Sequence, residues 1–443
     1  MPRPHLPPIL REMQALRALG VRKLCLQALL VGGISGGVIG AFRLSYTHIS
    51  ESLAGYAAAA PAGPLTMAIV FGAVLLLAVG GWALLRFEPL IGGSGIPQVE
   101  LAIEGRLPMP WRRILWAKFA GTMLSLTGGL SVGREGPCIQ MGAAVGCWVG
   151  RIWHEERPEH LPRYLIGGSV AGMTAAFGAP FAGLLFAFEE VKAVISAPLA
   201  LFTGLAAGAA YLVIEAVFDF GLVFPLRKLA LLEFGQWWIP VAAGLLTGCL
   251  GALYNGLLMF LVNTADRFAP PVSLKRILPV FLLSGVLLHI CPWVLSGFGL
   301  EVPALEETSL AFGTLAALLA VKMLFSCVSF ASGVAGGLLM PILLAGGIAG
   351  ASLAPPLLGA SLIRPDQAGC LLALGMAGLF SSTARAPLTG TALILEMTGG
   401  WRLAPALLAV SLISSWTAGR LHSEPIYDSL KRRIRDLERQ FSL

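Results

Sequence analysis

Apolar runs separated by breaks rich in glycine and proline follow one another along the chain, from residues 24–42 to residues 404–418. Several of these runs are shorter than the ~20 residues that a helix needs to cross a bilayer. Of the 443 residues, 56% are hydrophobic and 12% are charged, about half of the roughly 25% charge of a soluble protein. We therefore predict a membrane protein with tilted and discontinuous helices. Its broken helix ends must be buried in protein or line a cavity.

Positive charge exceeds negative charge, with 31 Lys and Arg against 24 Asp and Glu. Positively charged segments of membrane proteins remain on the cytoplasmic side. We therefore expect both termini to be cytoplasmic, which requires an even number of crossings. The basic residues at the two ends are Arg3, Arg11, Arg17, Arg22 and Lys23, and Arg420, Lys431, Arg432, Arg433, Arg435 and Arg439.

This composition excludes a soluble enzyme, a nucleic-acid-binding protein and a secreted scaffold held by disulfides. The seven cysteines lie in apolar stretches without a C-x-x-C pair, so we expect small core residues. His289 has no second histidine at metal-ligand spacing, and we expect a hydrogen-bonded core residue. The chain is expected to bind neither metal, cofactor nor nucleic acid, and to be surrounded by the lipid bilayer.

The chain also resembles itself at a distance of nearly half its length. Segment 133–137 matches segment 337–341, and segment 179–183 matches segment 386–390, at offsets of 204 to 207 residues. A lysine precedes each of the first two segments, and a glutamate follows each of the other two: Lys118 and Lys322, Glu189 and Glu396. We predict one transmembrane domain over 1–443, built by duplication. Its repeats cover about 24–217 and 228–424, with short tails outside them.

Three of the breaks share one pattern, glycines followed by a proline. They are Gly92-Gly93-Ser94-Gly95-Ile96-Pro97, Gly133-Arg134-Glu135-Gly136-Pro137 and Gly336-Gly337-Leu338-Leu339-Met340-Pro341. Glycine permits a tight turn, and proline suits the first turn of a helix. Helix N-termini carry about half a positive charge and free N–H groups. If several helix N-termini converge, they form an anion site that contains no lysine or arginine. A full positive charge would hold the ion too tightly to release it. For one break alone, a simple kink would explain the pattern.

With these motifs in this order, the chain resembles the CLC family of chloride channels and chloride/proton antiporters, from about residue 24 to Tyr427. The resemblance implies an all-α polytopic membrane protein of two inverted-topology repeats. It further implies a homodimer in which each subunit has its own ion pathway. The resemblance is to the prokaryotic type of the family, which implies a location in a cell membrane, the bacterial inner membrane.

The resemblance also implies roles for individual residues. Ser94 and Tyr427 correspond to the two hydroxyl donors of the central chloride. Leu338, Leu339 and Met340 correspond to a loop that offers backbone N–H groups to the same ion. Glu135 corresponds to the external gating glutamate, and Glu190 to the internal proton-relay glutamate of the antiporter branch. The family usually has phenylalanine at the position of Leu339, a difference that bears on gating and ion occupancy.

The residues themselves give a physical reason for two of these roles. An ionised Glu135 is itself an anion and can occupy an anion site, whereas a protonated Glu135 leaves that site to chloride; a salt bridge to Arg134 is the alternative. Glu189 has the repeat partner Glu396, which favours helix capping or pairing. Glu190 has no acidic counterpart, which favours a specialised role in proton relay over a structural pair. The matched Lys118 and Lys322 are expected to pair with acids, and Arg385, opposite Gly178, has no clear role.

The sequence therefore favours exchange of chloride for protons, with no enzymatic activity. A passive voltage- or pH-gated chloride channel of the same architecture is the first alternative. A fluoride/proton antiporter is less favoured, because that branch usually replaces the serine of the first motif and Ser94 is intact. An intramembrane enzyme with Ser94 as nucleophile is a different class, but its surroundings are not G-x-S-x-G.

Overall fold

The computed structural model describes residues 20–59, 63–155, 160–192, 196–226, 229–295, 305 and 310–441, with side chains omitted for 53–59 and 437–441. The basic residues predicted to mark a cytoplasmic N-terminus lie in part outside this range, at Arg3, Arg11 and Arg17. Within the described residues the chain is all-α, and strand contacts are limited to isolated bridges.

The described chain forms sixteen α-helices. They are α1 (Val21–Ala59), α2 (Pro64–Phe87), α3 (Ile96–Ile103), α4 (Trp111–Thr127), α5 (Glu135–Ile152), α6 (Leu161–Phe177), α7 (Pro180–Glu189), α8 (Ala197–Val213), α9 (Trp238–Phe268), α10 (Leu274–Ile290), α11 (Phe312–Ala331), α12 (Leu339–Gly359), α13 (Ala368–Ala384), α14 (Pro387–Thr398), α15 (Ala404–Arg420) and α16 (Ile426–Phe441).

Seven helical segments of the described chain are long and apolar enough to cross a membrane. Large apolar side chains on the outer helices, such as Leu76 and Phe268, are mostly exposed, as lipid-facing residues are. Helix α13 is by contrast enclosed by protein along nearly its whole length, from Gly369 to Ala384. The predicted fold class, a polytopic membrane protein with short and broken helices, is confirmed.

The helices of the second half repeat those of the first in order. The helices α1, α2 and α4–α8 correspond to α9, α10 and α11–α15, which agrees with two inverted repeats. A local two-fold relationship is visible at the centre, where Gly133 and Gly337 exchange two backbone hydrogen bonds of 2.6 Å. Each glycine occupies the same place in its own repeat, so the two halves meet there through equivalent atoms.

Close packing of small residues holds the central helices together in both halves. On α5, a Cβ at Gly142 would lie 2.1 Å from the carbonyl oxygen of Gly168 on α6. On α12, a Cβ at Gly346 would lie 2.5 Å from the carbonyl oxygen of Gly375 on α13. Backbones in such contact leave no room for a side chain, which explains part of the glycine excess of this membrane protein.

Two reciprocal helix caps join the repeats further from the centre. The Glu189 carboxylate accepts hydrogen bonds from the backbone N–H groups of Leu388 and Thr389, at the start of α14. The Glu396 carboxylate accepts hydrogen bonds from the N–H groups of Phe181 and Ala182, at the start of α7. The predicted capping role of this pair is confirmed. Each repeat therefore supplies the acid that satisfies the other's helix N-terminus.

Candidate functional site

Each of the three glycine–proline breaks is a helix start, as predicted. Helix α3 begins at Ile96, α5 at Glu135 and α12 at Leu339. The first turn of each helix has N–H groups that no intrahelical carbonyl can accept. A fourth helix, α16, begins at Ile426 directly after Pro425 and was not anticipated, although the proline is the same signal. Its first turn carries Tyr427.

Backbone pairing brings the first and third breaks together. The N–H of Gly93 donates to the carbonyl of Val334 at 2.8 Å, and the N–H of Gly336 donates to the carbonyl of Gly93 at 3.0 Å. With the Gly133–Gly337 exchange, all three breaks form one connected loop cluster. These pairings could not be predicted, because they join residues far apart in the chain.

Lys118 is fully buried, and its ammonium group donates to the carbonyl oxygens of Ile91 and Gly93, both at 2.7 Å. Lys322, its repeat counterpart, donates to the carbonyl of Val294 at 2.8 Å. The prediction that these lysines pair with acids is therefore wrong, since backbone carbonyls take the acid's place. Lys118 thus binds one carbonyl just before the first break and one within it.

Ser94 and Tyr427 have buried hydroxyl groups, with 2% and 1% of each residue exposed. Neither hydroxyl has a hydrogen-bond partner among the described residues, although they lie within interaction range of each other. A Cβ at Gly136 would lie 2.3 Å from the Ser94 hydroxyl oxygen, so only glycine allows the start of α5 to approach Ser94 this closely. Two unpaired buried hydroxyl groups beside a helix N-terminus are a set of donors suited to a small anion.

Glu135 is completely buried at the first position of α5. Its carboxylate lies beside the backbone N–H groups of Glu135, Met340 and Arg134, and neither oxygen makes a hydrogen bond of good geometry in the described structure. The Arg134 Nε atom lies 3.8 Å from Oε1, a loose ion contact. The carboxylate thus lies between the N-termini of α5 and α12, where an anion would be stabilised.

The predicted N–H loop lies at the start of α12. Leu338 is the N-cap residue, and Leu339 and Met340 form the first turn. Leu338 and Leu339 are both buried, with at most 1% exposed. The Met340 backbone N atom and the Glu135 carboxylate both lie beside Gly133. A Cβ added to this glycine would be 3.1 Å from that N atom. With leucine at position 339, the first turn of α12 forms directly after the N-cap Leu338.

Glu190 lies at the C-terminal end of α7 and is 6% exposed. Charged groups that act on it are Glu100, Asp428, Lys192 and Glu189. The Tyr427 hydroxyl lies within electrostatic range of both Glu190 and Glu135.

Helix α3 packs against α16, and Ser94 and Tyr427 lie at the starts of these two helices. Lys431 of α16 joins Glu100 and Glu104 of α3, at 3.0 and 2.6 Å. These two ion pairs join α16 to α3. The predicted hydrogen bond of His289 is present, since its Nδ1 atom lies 3.0 Å from the carbonyl oxygen of Gly285. The predicted core position is wrong, because the His289 side chain is exposed near the end of α10.

Helix order, broken central helices and two-fold-related halves define a polytopic membrane protein of two inverted repeats. A family model described as voltage gated chloride channel matches residues 72–419. The chain therefore belongs to the voltage-gated chloride channel family, the CLC family.

Relatives with assigned names are similar over nearly the whole chain. The H(+)/Cl(-) exchange transporter ClcA of Klebsiella pneumoniae (strain 342) is 32% identical, over 92% of this chain and 88% of the relative. ClcA of Citrobacter koseri is 30% identical over the same shares. Among solved structures, a slow cyanobacterial Cl-/H+ antiporter superposes with a TM-score of 0.84 at 28% identity, over 93% of this chain and 97% of that one. A eukaryotic CLC transporter, at 20% identity and a TM-score of 0.79, shares the fold over 94% of this chain and 74% of that one.

Proposed function

We propose that this protein is a proton-coupled chloride antiporter, which exchanges chloride for protons across a membrane. The observation that carries the proposal is the buried carboxylate of Glu135 among the N–H groups of two helix starts. The exchange activity in the names of the relatives, at about 30% identity over most of both chains, supports the same function. Transport, not enzymatic chemistry, is the proposed activity, and no cofactor is required for it.

Chloride binds, in this proposal, at the unpaired hydroxyl groups of Ser94 and Tyr427. The two hydroxyl groups donate to the ion, and the N–H groups of Leu338, Leu339 and Met340 contribute from the start of α12. These donors are dipoles and not full charges, so the ion is stabilised without being trapped. Lys118 strengthens the site indirectly by holding the carbonyls of Ile91 and Gly93.

Glu135 couples the two ions because chloride and its carboxylate compete for the same N–H groups. When Glu135 is ionised, it occupies the outer part of the site. When it is protonated, its attraction to the helix N-termini falls, and the side chain leaves the position to chloride. One proton is therefore taken up at Glu135 as chloride enters, and it is released when the carboxylate returns.

Glu190 delivers protons by a second route from the opposite side. It is buried, lies near Tyr427 and has no acidic counterpart in the second repeat, where Met397 occupies its position. A route separate from the chloride pathway allows exchange in opposite directions, which is what an antiporter requires. Both termini are assigned to the cytoplasmic side of a bacterial inner membrane, on the basis of the basic residues near them.

We also propose that the protein is a homodimer in which each subunit transports independently. Molar mass measured by light scattering in detergent tests the dimer. A heterodimer with one Glu135→Gln subunit should keep half of the proton-coupled transport. Full loss of coupling in that heterodimer would contradict independent pathways.

The function is tested by reconstituting purified protein into liposomes with a chloride gradient and the membrane voltage clamped at zero. An antiporter moves protons uphill as chloride flows down its gradient. Chloride flux without proton movement would instead establish a passive channel, and fluoride flux that greatly exceeds chloride flux would establish a fluoride exchanger. Empty liposomes and a Glu135→Gln variant serve as controls.

A further inference from the structure

Glu190 is too buried to exchange protons directly with bulk water, so a second group must connect it to the solution. Five groups face it from the elements around α7: Glu189 on α7 itself, Lys192 just after α7, Glu100 on α3, and Tyr427 and Asp428 on α16. Three of these groups are acids other than Glu190 that could carry a proton: Glu189, Glu100 and Asp428. Their contacts differ in a way that separates their roles.

Glu189 is occupied by the helix cap. Both of its carboxylate oxygens accept hydrogen bonds from the start of α14, and the Thr389 hydroxyl donates to Oε2 at 2.8 Å. Protonating this carboxylate would leave helix N–H groups poorly satisfied. Both oxygens of Glu189 are therefore committed to the helix cap, which makes this residue a poor proton carrier.

Glu100 is also constrained, by a buried ion pair. It is 3% exposed, and its Oε2 atom lies 3.0 Å from the Lys431 ammonium group. Burial opposes the charge on Lys431, but hydrogen bonds and charges from Glu104 and Glu100 together raise the pKa of Lys431. Glu100 is therefore committed to an ion pair, and at 3% exposure it has almost no contact with the solution from which protons must come.

Asp428 differs from both because it reaches the solvent. Its side chain is 34% exposed, and both carboxylate oxygens accept from Lys192, at 2.7 and 2.8 Å. Lys192 is itself 61% exposed, and such surface ion pairs are weak and readily exchanged. Asp428 follows Tyr427 directly in the chain. Its partner Lys192 lies two residues after Glu190, which places Asp428 beside the end of α7 and within electrostatic range of Glu190.

We infer that Asp428 is the surface acid through which protons pass between the cytoplasmic solution and Glu190. This inference rests on the proposed antiport function. A hydronium ion or a buffer acid gives its proton to the Asp428 carboxylate, which releases Lys192. The proton then moves to the Glu190 carboxylate, directly or through water, and Asp428 returns to its ionised pair with Lys192. No other reactant is needed.

The test compares the initial rate of chloride-driven proton movement in liposomes containing the parent protein or Asp428→Asn, at low buffer concentration. We expect proton movement to slow by about tenfold in the variant, less than the 10²–10⁴ typical of a lost acid–base group because water supplies part of the path. Imidazole, a small mobile buffer, should restore the rate. Asp428→Glu, which keeps a carboxyl group, should retain most of it.

Two controls make the outcome decisive. Glu424→Gln removes a matched surface acid, 51% exposed and paired with Arg432, and should leave proton movement unchanged. Glu190→Gln should stop proton movement, and imidazole should not restore it. If Asp428→Asn transports protons at the parent rate, or if its loss resists imidazole, the inference is wrong. If the parent protein moves no protons, the antiport function itself has failed.

Discussion

Arg385 has the same left-handed backbone conformation as Gly178, with φ of 64° and 66°. Both residues end the helix before a proline, α13 in one case and α6 in the other. The arginine guanidinium donates to the carbonyl of Ser423 at 2.6 Å, in the segment that leads to Tyr427. The repeat therefore retains a strained position and uses it in one half to hold the approach to α16.

The first prediction isolates the cost of this conformation. Gly178→Ala should destabilise the protein by about 1–2 kcal/mol, because the left-handed region is unfavourable for a residue with a Cβ. No atom lies within 4 Å of the added Cβ, so steric contact adds nothing. Thermal unfolding in detergent measures the effect. Gly204→Ala is the control. Gly204 lies in α8 outside the left-handed region, and an added Cβ there also has no atom within 4 Å, so this variant should not lower the unfolding temperature.

The second prediction concerns the reciprocal helix caps. Glu396→Gln should lower stability by about 1–3 kcal/mol, since hydrogen bonds to a charged acceptor are stronger than those to an amide. Glu189→Gln should have a similar effect because its geometry is equivalent. The measurement is the thermal unfolding temperature. Glu51→Gln, a surface acid on α1, is the matched control, and an equal loss there would contradict the capping explanation.

Chloride affinity is the subject of the third prediction. Tyr427→Phe and Ser94→Ala should each weaken chloride binding by about tenfold or more, the equivalent of the roughly 1.5–3 kcal/mol of a charge-assisted hydrogen bond. Isothermal titration calorimetry measures this affinity. Tyr254→Phe removes a buried hydroxyl that is bonded to Ser326 at 2.7 Å, and it should change stability but not affinity. Unchanged affinity in both site variants would place chloride elsewhere.

The fourth prediction separates the two acids. Glu135→Gln should abolish proton movement and make chloride flux independent of pH, because a neutral side chain no longer competes with chloride. Glu190→Gln should also stop proton movement, but chloride flux should keep the pH dependence that Glu135 provides. Parallel chloride and proton fluxes over a pH series in liposomes distinguish these results. Coupled proton movement in either variant would remove that residue from the proton path.

Helix starts and the duplication could be predicted because they depend on local signals. Glycine, proline and the matched acids mark where α3, α5 and α12 begin, and the offset between Glu189 and Glu396 reflects a two-fold relationship. A cap needs an acid at a fixed place relative to a helix start. Both repeats therefore contain the acid as well as the helix start that it caps. The polar groups of the candidate site were selected from the same motifs and from the family resemblance.

Other contacts could not be predicted, because they join distant segments and depend on tertiary packing. Lys118 was expected to find an acid, yet the nearest acceptors are the carbonyls of a broken segment 25 to 27 residues earlier in the chain. The position of Arg385 was obscure because a left-handed φ cannot be read from an arginine. The position of Asp428 beside Glu190 depends on the packing of α16 against α3, two helices that lie more than 300 residues apart in the chain.

The paired hydrogen bonds of Gly133 and Gly337 limit how this molecule can move. A rigid-body rocking of one repeat against the other would break that exchange and both glutamate caps together. The low-energy motions are therefore rotations of side chains within a stiff frame. Turnover should then be governed by how fast one carboxylate swings and how fast a proton reaches it, and the halves should remain nearly stationary throughout the cycle.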